Sequence, residues 1–266
     1  MIPMQTVATH GSRVAIPPPP PARPVQWRRA VRALRELLAN PDRTEKAFEV
    51  FLAIDGDQEE RAFQQLLAQP SAPQLLAERP CLLSRLSDRA GLAALPADSF
   101  GRGYLAYLDR TGFAPDGLLK VRAELEAHAQ SIGEELIPLD PIREWYRQRS
   151  ILSHDLWHVL TDYGTDGLGE GTLLAFSLAQ LPGRANRLLV FGAGMRGAGE
   201  YGPGLLRHMY RAWLRGRRAV WLNALPYEAL LAEPLEEVRR AARIEPSAVA
   251  HPGGIPQGSW RPAAGA

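Results

Sequence analysis

Apolar residues recur at helical spacing along most of the chain. Trp27, Ala30, Val31, Leu34, Leu37 and Leu38 follow the i, i+3, i+4, i+7 pattern of a helix that buries one stripe, and Asn40-Pro41 ends it. Asp42 stands where a cap is wanted ahead of Ala47, Phe48, Phe51 and Leu52, and Asp57 ahead of Phe63, Leu66 and Leu67. Short helical pieces follow, broken at Pro70, Pro80 and Pro96. A helix opening near Asp98 or Ser99 carries Tyr104, Leu105, Tyr107 and Leu108 and stops at Thr111-Gly112. A longer one starts at Asp140-Pro141, with proline at the favoured first position, and runs to Asp162. After a glycine-studded turn from Tyr163 to Gly169, helices are expected over 168–181, 184–195, 203–222, 227–231 and 234–244. No stretch alternates convincingly with period two, and no internal repeat is present. The pattern predicts an all-α fold: one multi-helix domain over 25–246, between a disordered Pro-rich tail at 1–24 and a second disordered tail at 247–266.

Composition narrows the function classes. A chain of 266 residues can bury a substantial core, and its formal net charge of +2 gives no electrostatic footprint for nucleic acid. Cys81 is alone, so an internal disulfide is excluded and a reducing compartment fits. The longest apolar run, Leu188 to Met195, falls well short of the roughly 18 residues that span a bilayer, so a soluble or peripheral protein is expected.

The most informative segment reads S-H-D-L-W-H-V-L-T-D-Y-G-T-D-G-L-G-E, from Ser153 to Glu170. His154 and His158, four apart, share one helix face, and Asp155 lies about 60° from His158 around the axis. Glu170 comes twelve positions after His158, and Gly164, Gly167 and Gly169 let the chain double back between them. Two imidazoles and two carboxylates suit zinc or another divalent first-row metal, with manganese, iron and magnesium also compatible. A histidine pair at this spacing is, taken alone, more often packing or surface chemistry; it is the added carboxylates that make a metal site worth weighing. The remaining histidines offer no partner set: His10 and His251 fall in the expected tails, His128 and His208 on the expected surface.

The motif His154-Asp155-Leu156-Trp157-His158, followed by Glu170, resembles the signature of the coenzyme Q biosynthesis protein 4 family. The resemblance extends to S-F-G-R-G-Y and R-T-G-F-A-P-D upstream, and to N-A-L-P-Y-E-A-L-L-A-E-P-L-E-E-V-R downstream, over roughly residues 40–246. It implies an all-helical homodimer that works at a membrane surface on polyprenylated aromatic quinone precursors, alongside other ubiquinone-biosynthesis proteins. It also implies a divalent metal, commonly zinc, held at His154, Asp155, His158 and Glu170. The implied activity is (oxidative) removal of the C1 carboxylate from a polyprenyl 4-hydroxybenzoate, a carbon–carbon lyase reaction. The alternative is a lipid-binding scaffold with a structural metal and no chemistry of its own; a metallohydrolase of isoprenoid phosphates is a third reading. With no amphipathic Arg/Ser-rich helix before Pro17, the expected location is the bacterial cytoplasm, peripheral on the inner membrane.

Within this reading the catalytic candidates are His154, Asp155, His158, Glu170 and Arg147. Arg147 lies two turns before His154 on nearly the same helix face and can pair with a substrate carboxylate, or be an ordinary surface arginine. Asp162 either orients an imidazole or ends the helix, and Tyr163 and Asp166 are weaker candidates. Leu173, Leu174, Phe176, Leu178 and the run Leu188 to Phe191 suit an apolar groove, with core packing the better expectation for each. Arg207, Arg211, Arg215, Arg217 and Arg218, beside Tyr210, Trp213 and Trp221, make a basic helix suited either to an anionic membrane or to a solvated face.

Overall fold

The computed structural model describes residues 5–8, 13–134, 136–202 and 204–254. In chain order they form β1 (Gln5–Ala8), β2 (Arg13–Ile16), α1 (Trp27–Ala39), α2 (Thr44–Ile54), α3 (Gln58–Leu67), α4 (Ala72–Glu78), α5 (Leu82–Ser87), α6 (Arg89–Ala93), α7 (Phe100–Thr111) and α8 (Gly117–Ser131). There follow α9 (Pro141–Thr161), α10 (Gly167–Gln180), α11 (Arg184–Tyr201), α12 (Gly204–Arg218), a 3-10 turn (Leu222–Ala224), α13 (Tyr227–Leu230), α14 (Leu235–Ala241) and α15 (Ser247–Ala250). The all-α class is therefore observed. No helix of the described residues is long and apolar enough to cross a membrane.

Several helix ends follow from local chemistry. Ser99 accepts from the Arg102 N–H at 3.2 Å and opens α7, which Gly112 closes at φ 72°. Asp140 accepts from the N–H groups of Ile142 (3.0 Å) and Arg143 (3.2 Å), with Pro141 at the first position of α9. Asp42 does not cap α2: its own N–H donates to Asn40 Oδ1, and Arg43 takes the cap position.

Five elements depart from the sequence expectation. β1 and β2 pair antiparallel, Gln5 opposite Ile16 and Ala8 opposite Arg13, where a structureless tail is expected. Strands of four residues offer too few alternations to register as a period. Ile16 is buried, and the Pro17 carbonyl accepts from Arg143 Nη1 at 3.0 Å. α8 is also unexpected, because its buried face consists of Arg122, Leu125 and Ala129 and carries little apolar signal. α11 continues past Met195 to Tyr201, since its glycines admit neighbours: a Cβ at Gly197 would stand 2.4 Å from Leu205 Cδ2. α15 and His251 occupy the expected second tail.

The helices group into two compact units: residues 1–25, 56–156 and 221–235, and residues 26–55, 157–220 and 236–266. The division falls inside α9, one unbroken helix. The first unit has an aromatic core of Phe63, Phe100, Tyr104, Tyr107, Tyr146 and Tyr227. There Arg143, almost wholly buried, is satisfied by Glu60, Asp140 and the Pro17 carbonyl. The second unit packs Ala30, Ala33, Leu34, Val50, Ala53, Ile54, Ala185 and Leu189 into a core shared by α1, α2 and α11. Burying such side chains contributes about 1.5–3 kcal/mol for each large aliphatic one.

Candidate metal centre

The site begins where α9 ends. Asp162 leaves the helix in the left-handed conformation (φ 60°), while its N–H still donates to the His158 carbonyl at 2.8 Å. The chain turns through Gly164 and restarts at Asp166, whose Oδ1 accepts from the Gly169 N–H at 2.8 Å. Gly169 passes so close to the departing chain that a Cβ there would lie 2.1 Å from the Gly164 carbonyl oxygen. This approach returns Glu170, in the first turn of α10, to the level of His158.

The His158 imidazole is buried, its side chain 1% exposed, with Nε2 3.2 Å from Glu170 Oε1. Its Nδ1 lies 3.1 Å from the Tyr163 carbonyl. A carbonyl only accepts, so Nδ1 carries the hydrogen and Nε2 is the atom turned to the carboxylate. In the neutral ring that pairing sets a lone pair against a carboxylate oxygen, and it becomes favourable when a cation or a proton lies between them. His154 is one turn earlier on the same helix. Ligand atoms of His154, His158 and Glu170 lie within 4.8 Å of one another, the one such convergence among the described residues. Two imidazoles and a carboxylate fit zinc, and a backbone carbonyl on the far ring nitrogen is the usual outer support of a metal-binding histidine. The Glu170 side chain is 38% exposed, so the group is reached from the surface on that side.

Asp155 is not in the converging group. It is buried on α9, and its Oδ1 accepts from Tyr107 Oη at 3.3 Å. Beside it Tyr104 is fully buried, and its hydroxyl has no hydrogen-bond partner among the described residues. Burial, reinforced by the Asp155 charge, pushes the Tyr104 phenol well above its ordinary range. Arg147, read as a partner for a substrate carboxylate or a surface arginine, binds Glu126 at 3.1 Å and also Glu144. Asp162 ends the helix and accepts from Ser247 Oγ at 3.1 Å, Asp166 caps α10, and Tyr163 supplies its carbonyl to His158.

Three buried residues overturn their sequence reading. His208 and His251, expected on the surface and in a tail, are 6% and 5% exposed and stack at 3.9 Å between ring centroids. Arg215 is 2% exposed and cannot belong to a solvent-facing basic stripe; Nη1 donates to the Thr161 carbonyl and Nε to the Glu245 carbonyl, each at 2.7 Å. The signal was in the periodicity, since Leu205, His208, Met209, Ala212 and Arg215 fall on one helical stripe. Among the candidate groove residues, Leu173, Phe176 and Leu189 are core, whereas Phe191 is exposed.

A family model described as coenzyme Q (ubiquinone) biosynthesis protein Coq4 matches residues 38–129 and 139–248. The chain is 29% identical over 181 residues to the mitochondrial ubiquinone biosynthesis protein COQ4 of Pyricularia oryzae, covering 68% of this chain and 55% of that one. It is 31% identical over 199 residues to the protein of the same name from Meyerozyma guilliermondii, covering 70% of this chain and 55% of that one. The chain thus spans little more than half the length of the curated relatives it matches. A crystal structure from Nostoc punctiforme, provisionally assigned to ubiquinone biosynthesis, aligns with a TM-score of 0.56 at 20% identity. It covers 84% of this chain and all of that one, and at that identity supports the fold alone. The relatives from Pyricularia, Meyerozyma and Aspergillus flavus are named as mitochondrial, which overturns the bacterial cytoplasmic location expected above. That expectation rested on a leader-like helix missing from the N-terminus, and a chain spanning part of its relatives cannot decide the point. A family match over most of the sequence, with His154, Asp155, His158 and Glu170 all present, leads to one conclusion: the chain belongs to the coenzyme Q (ubiquinone) biosynthesis protein Coq4 family.

Proposed function

We propose that this chain is a metal-dependent lyase of ubiquinone synthesis that removes the C1 carboxylate of a polyprenyl 4-hydroxybenzoate. The observation that supports it is the convergence of His154, His158 and Glu170, with His158 locked by the Tyr163 carbonyl so that Nε2 faces the carboxylate. A divalent metal, zinc by donor set, would be held by these three residues and would supply Lewis acidity toward a carboxylate or phenolic oxygen. In the reaction the bond between C1 and the carboxylate carbon breaks, its electron pair stays on C1, a proton takes that position, and carbon dioxide leaves. Glu170, with a side chain 38% exposed, would handle that proton in this proposal. Arg147 would meet the substrate carboxylate only by giving up Glu126 and Glu144, so it is the weakest of the catalytic candidates.

The remaining partners in this proposal are a membrane surface, a second copy of the chain and other ubiquinone-biosynthesis proteins. For the membrane, α12 presents Arg207, Arg217 and Arg218 to solvent together with the exposed Leu206 and Tyr210. The deciding experiment measures metal content of the purified chain and release of carbon dioxide from carboxyl-labelled polyprenyl 4-hydroxybenzoate, with Glu170→Ala alongside. Metal-dependent release that the variant lacks is expected. Substrate binding without release, in metal-loaded protein, would overturn the lyase in favour of a scaffold presenting a prenyl lipid.

A further inference from the structure

The turn that fixes His158 is itself held from the C-terminal side. Arg239 donates to the Leu160 carbonyl (3.0 Å) and the Val159 carbonyl (2.8 Å), and Arg215 donates to the Thr161 carbonyl. These are carbonyls of the last helical turn, which lack partners within the helix and favour cations. Arg215 also grips the Glu245 carbonyl, and Ser247 Oγ donates to Asp162. At the next residue Tyr163 Oη lies 2.8 Å from His251 Nε2, its ring meets His251 edge-on at 5.6 Å, and the Arg215 guanidinium sits 5.1 Å from the ring centroid. His251 in turn stacks on His208.

We infer that the segment from Leu235 to His251, acting through Tyr163, is a positioning element for His158: it holds the carbonyl that selects which nitrogen of that imidazole faces the metal. The inference rests on the metal reading above. Tyr163 is the joint of the device. Its backbone oxygen touches His158, while its side chain is touched only from Arg215 and the C-terminal segment among the contacts described. Burial drives both His208 and His251 down to about 4, so at neutral pH His251 is an uncharged ring, and in the inferred device its Nε2 accepts from the Tyr163 hydroxyl. That leaves the hydrogen on His251 Nδ1, a buried atom with no hydrogen-bond partner among the described residues. Histidine at this position makes sense as the acceptor that fixes Tyr163.

The test compares the full chain with Tyr163→Phe, His251→Phe, His251→Gln and His158→Ala. Zinc affinity is read by competition with a chromophoric chelator, well below each variant's Tm. Loss of outer support weakens metal sites by about 10–100-fold, and a loss of about 10-fold is expected in Tyr163→Phe and His251→Phe. His251→Gln, which keeps an acceptor for the phenol, should recover most of it. In metal-free protein, long-range proton–nitrogen spectra should show the Nδ1–H tautomer of His158 in the wild type and a mixture in the two phenylalanine variants. Lower Tm with unchanged zinc affinity and tautomer in those variants would reduce the segment to a structural brace and overturn the inference. Wild-type affinity no better than that of His158→Ala would instead remove the metal reading, and this inference with it.

Discussion

Gly169→Ala is the substitution whose consequence can be worked most directly from the coordinates. A Cβ at this position would stand 2.1 Å from the Gly164 oxygen, 2.4 Å from its carbonyl carbon and 2.7 Å from its Cα. Carbon contacts settle near ~3.5 Å, so the turn must open by roughly 1 Å. The obstructing atoms are backbone, and no side chain can swing aside. Overpacking of this kind costs about 1–3 kcal/mol or more, against which alanine in a helix returns at most about 1 kcal/mol over glycine. The net expectation is a loss of about 2 kcal/mol, or about 4–8 °C in Tm for a chain of this size. Glu170 is the next residue, so the same opening shifts this proposed ligand by more than the roughly 0.5 Å that a functional constellation tolerates. Zinc affinity should fall by about 10-fold. Gly171→Ala is the internal control: its Cβ would make an ordinary 3.4 Å contact with Ala193 Cβ, and it should hold or raise Tm with unchanged zinc binding. Thermal melts and zinc titrations of both variants decide the matter. Equal behaviour of the two, or a wild-type Tm and zinc affinity in Gly169→Ala, would refute the close-approach argument.

The buried histidine pair makes stability depend on pH. Both rings titrate near 4 when folded and near 6.5 when unfolded, so between those values the unfolded chain binds protons that the folded chain refuses. Above about pH 6.5 the rings are neutral in both states and add no pH dependence; as pH falls from there toward about 4, protonation of the unfolded chain lowers stability by up to about 3 kcal/mol for either ring. Urea midpoints at pH 7 and 4.5 should therefore converge in His208→Phe/His251→Phe relative to the wild type; an unchanged difference would exclude the pair as the source. Asp166→Ala removes the cap of α10 and should cost about 1 kcal/mol, lowering Tm by a few degrees; a Tm equal to wild type would show that another group satisfies the Gly169 N–H.

Helix positions were legible wherever an apolar stripe coincided with a terminating residue. α1, α7 and α9 match because Asn40-Pro41, Gly112 and Asp140-Pro141 mark their ends chemically. α8 was not legible because its buried face includes Arg122, paired with Glu126 and Glu59, and an ion-paired arginine reads as surface in any hydropathy pattern. Arg215, satisfied by the Thr161 and Glu245 carbonyls, is likewise an arginine that hydropathy reads as surface, and composition hid His251, which sits in a Pro- and Gly-rich stretch. At the metal centre, i, i+4 spacing placed His154 and His158, and the glycine-rich turn explained the return of Glu170. The pairing of Arg147 with Glu126, and the hydrogen bond of Asp155 with Tyr107, depend on α8 and α7 side chains more than 20 positions away. No local periodicity encodes such pairings.

Enzyme and scaffold differ, in the end, by one side chain. Catalytic zinc sites keep three protein ligands and an open position, whereas structural sites close with four. His154, His158 and Glu170 converge as three. The fourth ligand implied by the family resemblance, Asp155, has its Oδ1 engaged by the Tyr107 hydroxyl at the aromatic core of the first unit. An Asp155 that stays with Tyr107 leaves the open set an enzyme requires, and an Asp155 that turned to the metal would complete the closed set of a scaffold. Tyr107 packs against Tyr104 and Phe113, with ring centroids 6.2 Å apart in each pair. On the proposed metal reading, Tyr107→Phe, which removes the hydroxyl on Asp155 Oδ1, should raise zinc affinity and lower turnover if that contact keeps Asp155 from the metal; unchanged values of both would refute it.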